Sequence, residues 1–194
     1  MKKLWNITGH FYTLYRALPG IHFLYEREKK ALADLLAQIE KQECTHHLDL
    51  GCGNGSTYDI FPVSHQITAI DHSASMLAAL KKYYPMVHCI QGDILNSIPD
   101  EKYDLITLIG VSEYLSEFPE FLSALKKHLK PKGTLLFTAA QVNLANQLRR
   151  FHGHRLWLRN KTHIYQILED RGFYLIAESH TLLQWQYLAK LVDD

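Results

Sequence analysis

His47-Leu48-Asp49-Leu50-Gly51-Cys52-Gly53-Asn54-Gly55 is an apolar run that breaks into three alternating glycines. Such a run reads as a buried strand feeding a tight turn, because glycine tolerates positive φ and lets a ligand approach the backbone closely. In a doubly wound sheet a turn of this kind lies at the carboxyl end of its strand, where ligands bind. Asp71 closes the next apolar run, 20 residues after Gly51, and an acid there can accept both hydroxyls of a ribose. Asp93, in Gln91-Gly92-Asp93-Ile94, closes a third run and could receive the exocyclic amine of a base. Three carboxylates at successive strand ends fit an uncharged or cationic nucleoside better than a pyrophosphate. Asp49, inside the turn, would repel phosphate and attract an ammonium or sulfonium centre. The glycine spacing is G-x-G-x-G, and Ser56 follows where the dinucleotide fingerprint G-x-G-x-x-G would call for its last glycine.

The flanking sequence alternates two patterns. Leu32, Leu35, Leu36 and Ile39 recur at helical spacing and predict a helix over 22–41. Strand-like runs follow at Gln66–Asp71, Val87–Gln91 and Tyr103–Ile109, with a helix expected over Ser73–Lys82. Phe118, Phe121, Leu122, Leu125 and Leu129 mark one face of a further helix, which Pro131 and Gly133 are expected to end before a strand over Thr134–Ala140. Helices alternating with short apolar strands imply crossover units and a mostly parallel sheet. The last sixty residues differ. A basic, aromatic connection over 141–161 leads to a helix over Thr162–Arg171, stopped by Gly172. Two strand-like runs, Phe173–Leu182 and Trp185–Val192, follow with no helix between them and must pair antiparallel. The expected fold is therefore α/β, a Rossmann-like doubly wound sheet of seven mostly parallel strands ending in an antiparallel hairpin.

A chain of 194 residues with a formal charge of +1 fits one domain over 1–194, with no room for a second full-sized unit. That balance gives no bulk support for nucleic-acid or acidic-membrane binding, so nucleic acid is not an expected partner. Three cysteines, Cys44, Cys52 and Cys89, form neither a CxxC nor an even-numbered framework. No apolar stretch approaches the length of a transmembrane helix, and the residues after Lys2 and Lys3 do not resemble a secretory signal; a cytoplasmic protein is expected. Twelve histidines raise the question of a metal. His46, His47, His65, His88, His128 and His180 are scattered without ligand spacing, however, and read as strand-edge or surface residues, so no metal is expected.

The set of motifs resembles the class I S-adenosylmethionine (SAM)-dependent methyltransferases of the seven-stranded, small-molecule type. The residues that carry the resemblance are 47–55, Ala69-Ile-Asp-His-Ser73 with Met76-Leu77, Gln91-Gly-Asp93, Tyr103-Asp-Leu-Ile-Thr107 and Leu129-Lys-Pro-Lys-Gly133, in the order the family places them. The resemblance implies that Asp49, Gly51, Gly53 and Gly55 hold the methionine portion of SAM. Asp71 would hold the ribose, with His72 and Met76 beside the adenosine. Asp93 and Ile94 would bound the adenine, and Ile109 would line the methyl-transfer site. Leu14-Tyr-Arg16-Ala-Leu-Pro19 is similar to the N-terminal segment of ubiquinone-type O-methyltransferases, which would bring Arg16 near the cofactor's carboxylate; a solvated helix residue is the other reading.

A sulfonium already carries an excellent leaving group, so methyl transfer needs mainly in-line approach, which positioning supplies. The product would be S-adenosylhomocysteine, the acceptor atom an oxygen or nitrogen. A general base helps only a protonated acceptor. Ser112-Glu113-Tyr114 stands where related enzymes often carry Glu-His, so Glu113 is either a catalytic candidate or a structural residue. His152 and His154 are the other candidate bases. They lie in the 141–161 connection with Arg149, Arg150, Phe151, Arg155, Trp157, Arg159 and Lys161, which is either a substrate lid for an anionic or aromatic acceptor or a solvated basic loop. Residues 1–25, rich in aromatics, would cap the site or face an apolar small molecule, or else pack as core. Two rival functions share parts of this pattern. A non-catalytic SAM-binding regulator would keep the cofactor motifs, whereas an NAD(P)-dependent oxidoreductase is disfavoured by Asp49, the glycine spacing and the terminal hairpin.

Overall fold

The computed structural model describes residues 19–39, 45–62, 66–142, 146 and 156–192. Along the chain run α1 (Pro19–Leu36), β1 (His46–Leu50), β2 (Gln66–Asp71), α2 (Ala74–Tyr83), β3 (His88–Gln91) and β4 (Tyr103–Leu108). They are followed by α3 (Phe118–Leu125), β5 (Leu129–Ala140), α4 (Lys161–Asp170), β6 (Phe173–His180) and β7 (Gln184–Leu191). The strands form one sheet in the order β3-β2-β1-β4-β5-β7-β6. Strands β1 to β5 pair parallel, and β7 lies antiparallel between β5 and β6. This is the expected Rossmann-like sheet with its terminal hairpin. The chain order reverses between β1 and β4, which puts a crevice at the carboxyl end of β1.

Side-chain alternation along the strands divides the core in two. Leu48, Leu50, Ile106, Leu135 and Phe137 face one layer with Phe118, Leu122 and Leu125 of α3 and Ile164 of α4. Leu105, Leu136 and Leu188 face the other layer with Leu32 and Leu35 of α1 and Leu77 and Leu80 of α2. The same parity places His47 and Asp49 on the α1/α2 face, where Leu105 and Thr107 also point. The expectation that His47 and His128 are strand-edge or surface residues is therefore corrected. His47 is fully buried against the ring of Phe61, and His128 is buried with Nδ1 donating to Glu101 O at 3.2 Å.

Element ends depart from the sequence reading where long-range contacts outweigh local pattern. Helix α1 starts at Pro19 and ends at Leu36, short of the expected 41. Helix α3 ends at Leu125, and a single 3-10 turn, Lys126–His128, leads into β5. Leu129 is thus not a helix residue; it pairs with Tyr103 as the first residue of β5. Pro131 and Gly133 then shape a bulge inside β5 rather than ending a helix. The register jumps from Tyr103↔Leu129 to Leu105↔Thr134, with Lys132 at φ 65°. A Cβ on Gly133 would meet Lys130 O at 2.8 Å, so the bulge closes only around a glycine.

Candidate functional site

The glycine loop is tied down before any ligand is considered. Gly51 N and Cys52 N both donate to Ile70 O, at 2.8 and 3.2 Å, which fastens the turn after β1 to the end of β2. Gly51, Gly53 and Gly55 all have positive φ, for three different surroundings. A Cβ at Gly51 would come 2.5 Å from Val111, and one at Gly55 would come 2.2 Å from Leu80. A Cβ at Gly53 meets nothing within 4 Å among the described residues. The outer two glycines let the loop pack against Val111, past the end of β4, and Leu80 of α2, and the middle one presents bare backbone to open space.

Asp71 is the second anchor. Its Oδ2 accepts from Gly53 N at 2.9 Å and its Oδ1 from Ser73 N at 2.8 Å. Each carboxylate oxygen keeps a further lone-pair direction, so the side chain is oriented by the backbone with acceptor capacity left over. Ser73 caps α2, and its hydroxyl accepts from Met76 N at 3.4 Å. His72 lies half-exposed with Nδ1 3.4 Å from Asp71 Oδ1, and the Met76 side chain is buried below. The neighbouring strand end brings Asp93 into the same edge, because Asp71 pairs with Gln91 and Gly92 N donates to Asp71 O at 3.0 Å. Asp93 is exposed and accepts from Leu95 N at 3.1 Å, while Ile94 packs partly against the core. Ile109 is half-buried just past β4, before Gly110 at φ 70°, whose N–H donates to Thr138 Oγ1 at 2.7 Å.

Asp49 sits deeper than its place in a ligand loop suggests. It is 3% exposed, and its Oδ1 accepts from Thr107 Oγ1 at 2.6 Å. Burial raises its carboxyl to about 6, against the lowering effect of the Thr107 hydrogen bond and of Tyr58, whose hydroxyl faces it without a well-formed bond. The nearby charge of Asp71 adds to the rise. Burial and the same carboxylates push the Cys52 thiol upward too, so it is no nucleophile.

The candidate residues therefore fall into groups. The structure brings Asp49, Gly51, Gly53, Gly55, Asp71 and His72 together by hydrogen bonds and adjacency, with Met76 buried below, Asp93 and Ile94 on one side and Ile109 on the other. Glu113 lies in the 3-10 turn Ser112–Tyr114, buried, with its charge acting on the Arg159 guanidinium. Arg159 corrects another expectation. Far from being a solvated or ligand-reading residue of the connection, it is buried, donating to Ser112 O, Leu115 O and Trp157 O at 2.6 to 3.2 Å, over the ring of Phe118. Arg16, His152 and His154 lie outside the described residues, as do residues 1–18 of the cap and 147–155 of the connection. Thr107, Tyr58 and His47 are site neighbours that the sequence reading passed over. A threonine within the apolar run Leu105–Ile109 was the available signal. Among the described residues no group of histidine, cysteine and acidic side chains could hold a metal ion.

A glycine loop with open space at its middle residue, faced by an acid with spare acceptor capacity, is an arrangement that could hold a nucleoside in a Rossmann-like fold. Residues 48–137 match the family model described as a methyltransferase domain. The chain is 31% identical over 122 residues to the trans-aconitate 2-methyltransferase of Acidovorax ebreus (strain TPSY), covering 60% of this chain and 47% of the relative. A relative of the same name from Azoarcus sp. (strain BH72) is 30% identical over 114 residues, 57% of this chain and 45% of its own. The chain thus spans about half the length of the curated relatives it matches. Among solved structures, magnesium protoporphyrin IX methyltransferase from Synechocystis PCC 6803 with bound SAH superposes with a TM-score of 0.79 at 17% identity, over 99% of this chain and 98% of that one. The DhpI–SAH complex gives a TM-score of 0.77 at 16% identity, over 100% of this chain and 96% of that one. Residues 48–137 thus match a methyltransferase domain, and the chain shares the fold of these two SAH-bound proteins.

Proposed function

We propose that the protein transfers a methyl group from SAM to an oxygen or nitrogen of a small molecule, mainly by positioning the two reactants. The observation that carries this reading is the pairing of Gly53, bare towards open space among the described residues, with Asp71, which the backbone N–H groups of Gly53 and Ser73 hold in place. Asp71 would accept from the ribose hydroxyls, the glycine loop and Asp49 would take the amino-acid end, and Asp93 with Ile94 would bound the adenine. The bound cofactor supplies a methyl group on a sulfonium leaving group. The chain then needs to orient an acceptor in line and exclude water, which sets no demand for a metal. The names of the curated relatives support a small acceptor. The aromatic and basic sequence at 1–25 and 141–161 supports an apolar or aromatic one, read by those segments of a single domain spanning 1–194. Among the described residues no helix is long and apolar enough to cross a membrane, and we place the reaction in the cytoplasm.

Isothermal titration with S-adenosylhomocysteine and, separately, with NADH tests the cofactor. Binding of the first without the second is expected; tight NADH binding alone overturns the reading. Labelled SAM incubated with a panel of small carboxylic acids, trans-aconitate included, and of aromatic hydroxyl compounds should then label an acceptor. A panel and a cell extract that both stay unlabelled would favour a non-catalytic SAM-binding protein.

A further inference from the structure

Asp49, Thr107 and His47 form a single-file line of side chains. Asp49 on β1 pairs directly with Thr107 on β4, and His47 pairs with Leu105 two residues earlier, so all three project to one face. The Thr107 hydroxyl donates to Asp49 Oδ1 at 2.6 Å, and its oxygen lies 2.8 Å from His47 Nε2. One hydroxyl carries one proton, so His47 Nε2 must hold a hydrogen and donate to Thr107. His47 and Thr107 are fully buried, and the Phe61 ring meets the imidazole edge-on at 4.5 Å between centroids. Among the described residues, Tyr58 from the 3-10 turn Tyr58–Ile60, Asp71 from the end of β2 and Cys52 from the glycine loop are the other titratable groups that act on Asp49. None of them brings a positive charge. Beside the lowering effect of Tyr58, two successive hydrogen bonds that polarise each other therefore favour the carboxylate form in this dry position.

We propose that Thr107 and His47 are positioning residues of the site: through this line they keep Asp49 ionised and aimed at the glycine loop, ready to receive the ammonium of the donor's amino-acid end. The inference rests on the SAM reading above, and its test has one arm that needs no ligand. In the free protein the Asp49 carboxyl carbon is followed by NMR as pH is lowered. Thr107→Val raises the midpoint by about one pH unit, and Thr107→Ser restores it. His47→Leu, which leaves the threonine hydroxyl, raises it by less. Affinity for S-adenosylhomocysteine, which keeps the amino-acid end, follows the charge. A rise of about one unit makes Thr107→Val about fivefold weaker than wild type near pH 6 and about equal near pH 8. General loosening of the fold would not give a ratio that closes with pH. An unmoved midpoint, or an affinity ratio independent of pH, overturns the inference. If Thr107→Val does not fold, a His47→Leu midpoint equal to wild type overturns it instead. Wild-type protein that binds no S-adenosylhomocysteine removes the proposed function, and with it the ligand-receiving role of Asp49; the NMR midpoint still decides whether the line controls its charge.

Discussion

Strands β1 and β4 carry an aspartate at each end of their shared ladder, and the two are treated in opposite ways. At the amino end, Asp104 Oδ2 accepts from Thr45 N, Thr45 Oγ1, His46 N and Lys130 Nζ, at 2.9 to 3.2 Å. Those donors lower its carboxyl below the ordinary value despite partial burial. At the carboxyl end, Asp49 is more deeply buried, has one strong donor in Thr107, and is raised to about 6. Asp104 is satisfied by the fold alone: it clamps the entry to β1 onto the β5 bulge. Asp49 is left short of donors and cations, which a ligand with an ammonium group would make good. A fully compensated acid marks a structural clamp, and an undercompensated one marks a place for something to bind.

The sharpest way to break this contrast is to remove the acceptor next to the open loop. Asp71→Ala should weaken S-adenosylhomocysteine binding by about a hundredfold, read by calorimetry, since a charge-assisted pair to the ligand is lost. An affinity within a few-fold of wild type would sink the site. Asp49→Asn tests the next largest effect, on stability. A buried acid raised above its unfolded value binds more protons folded than unfolded, so its ionisation destabilises the fold as pH rises from about 4 to about 6. The substitution should therefore stabilise the free protein by on the order of 2–3 kcal/mol at neutral pH and by little near pH 4, in denaturant melts at both pH values, while weakening ligand binding. Asp104 has the opposite sign. Its lowered carboxyl contributes stability that is present above about pH 4 and lost as pH falls further. Asp104→Ala should cost about 1–2 kcal/mol at neutral pH and leave ligand affinity unchanged, because only a clamp is removed. The smallest expected stability change is in the loop itself. Gly53→Ala should cost about 1 kcal/mol for its left-handed backbone, with no steric penalty, yet impair binding by filling the open side.

What the sequence made legible follows the range of the forces involved. Periodicity and glycine punctuation are local, so the strands, the doubly wound order and the loop at 51–55 could be read directly. Asp71 was recognisable because a fixed crossover length places the end of β2 beside the turn. Thr107 and His47 were not, because their meaning lies in a register between β1 and β4 that joins residues 58 to 60 positions apart. Arg159 misled for a similar reason. It sits in a basic stretch that looks solvated, but two carbonyl groups from another part of the chain, those of Ser112 and Leu115, draw it inward. Leu129 continued a helical apolar pattern, yet β4 offered it a ladder position instead.

The position of β7 has a consequence for how the molecule is assembled. β5 ends at Ala140, and the strand that covers its far edge begins only at Gln184, after α4 and β6. Until that segment inserts, β5 shows a hydrogen-bonding edge and apolar faces that belong at the centre of the sheet, including Phe137, which stacks on Tyr187 at 5.1 Å. The half of the sheet that carries the glycine loop, Asp49 and Asp71 can pair without that segment. The exposure of β5 to aggregation would thus be governed by how quickly β7 slides into the gap.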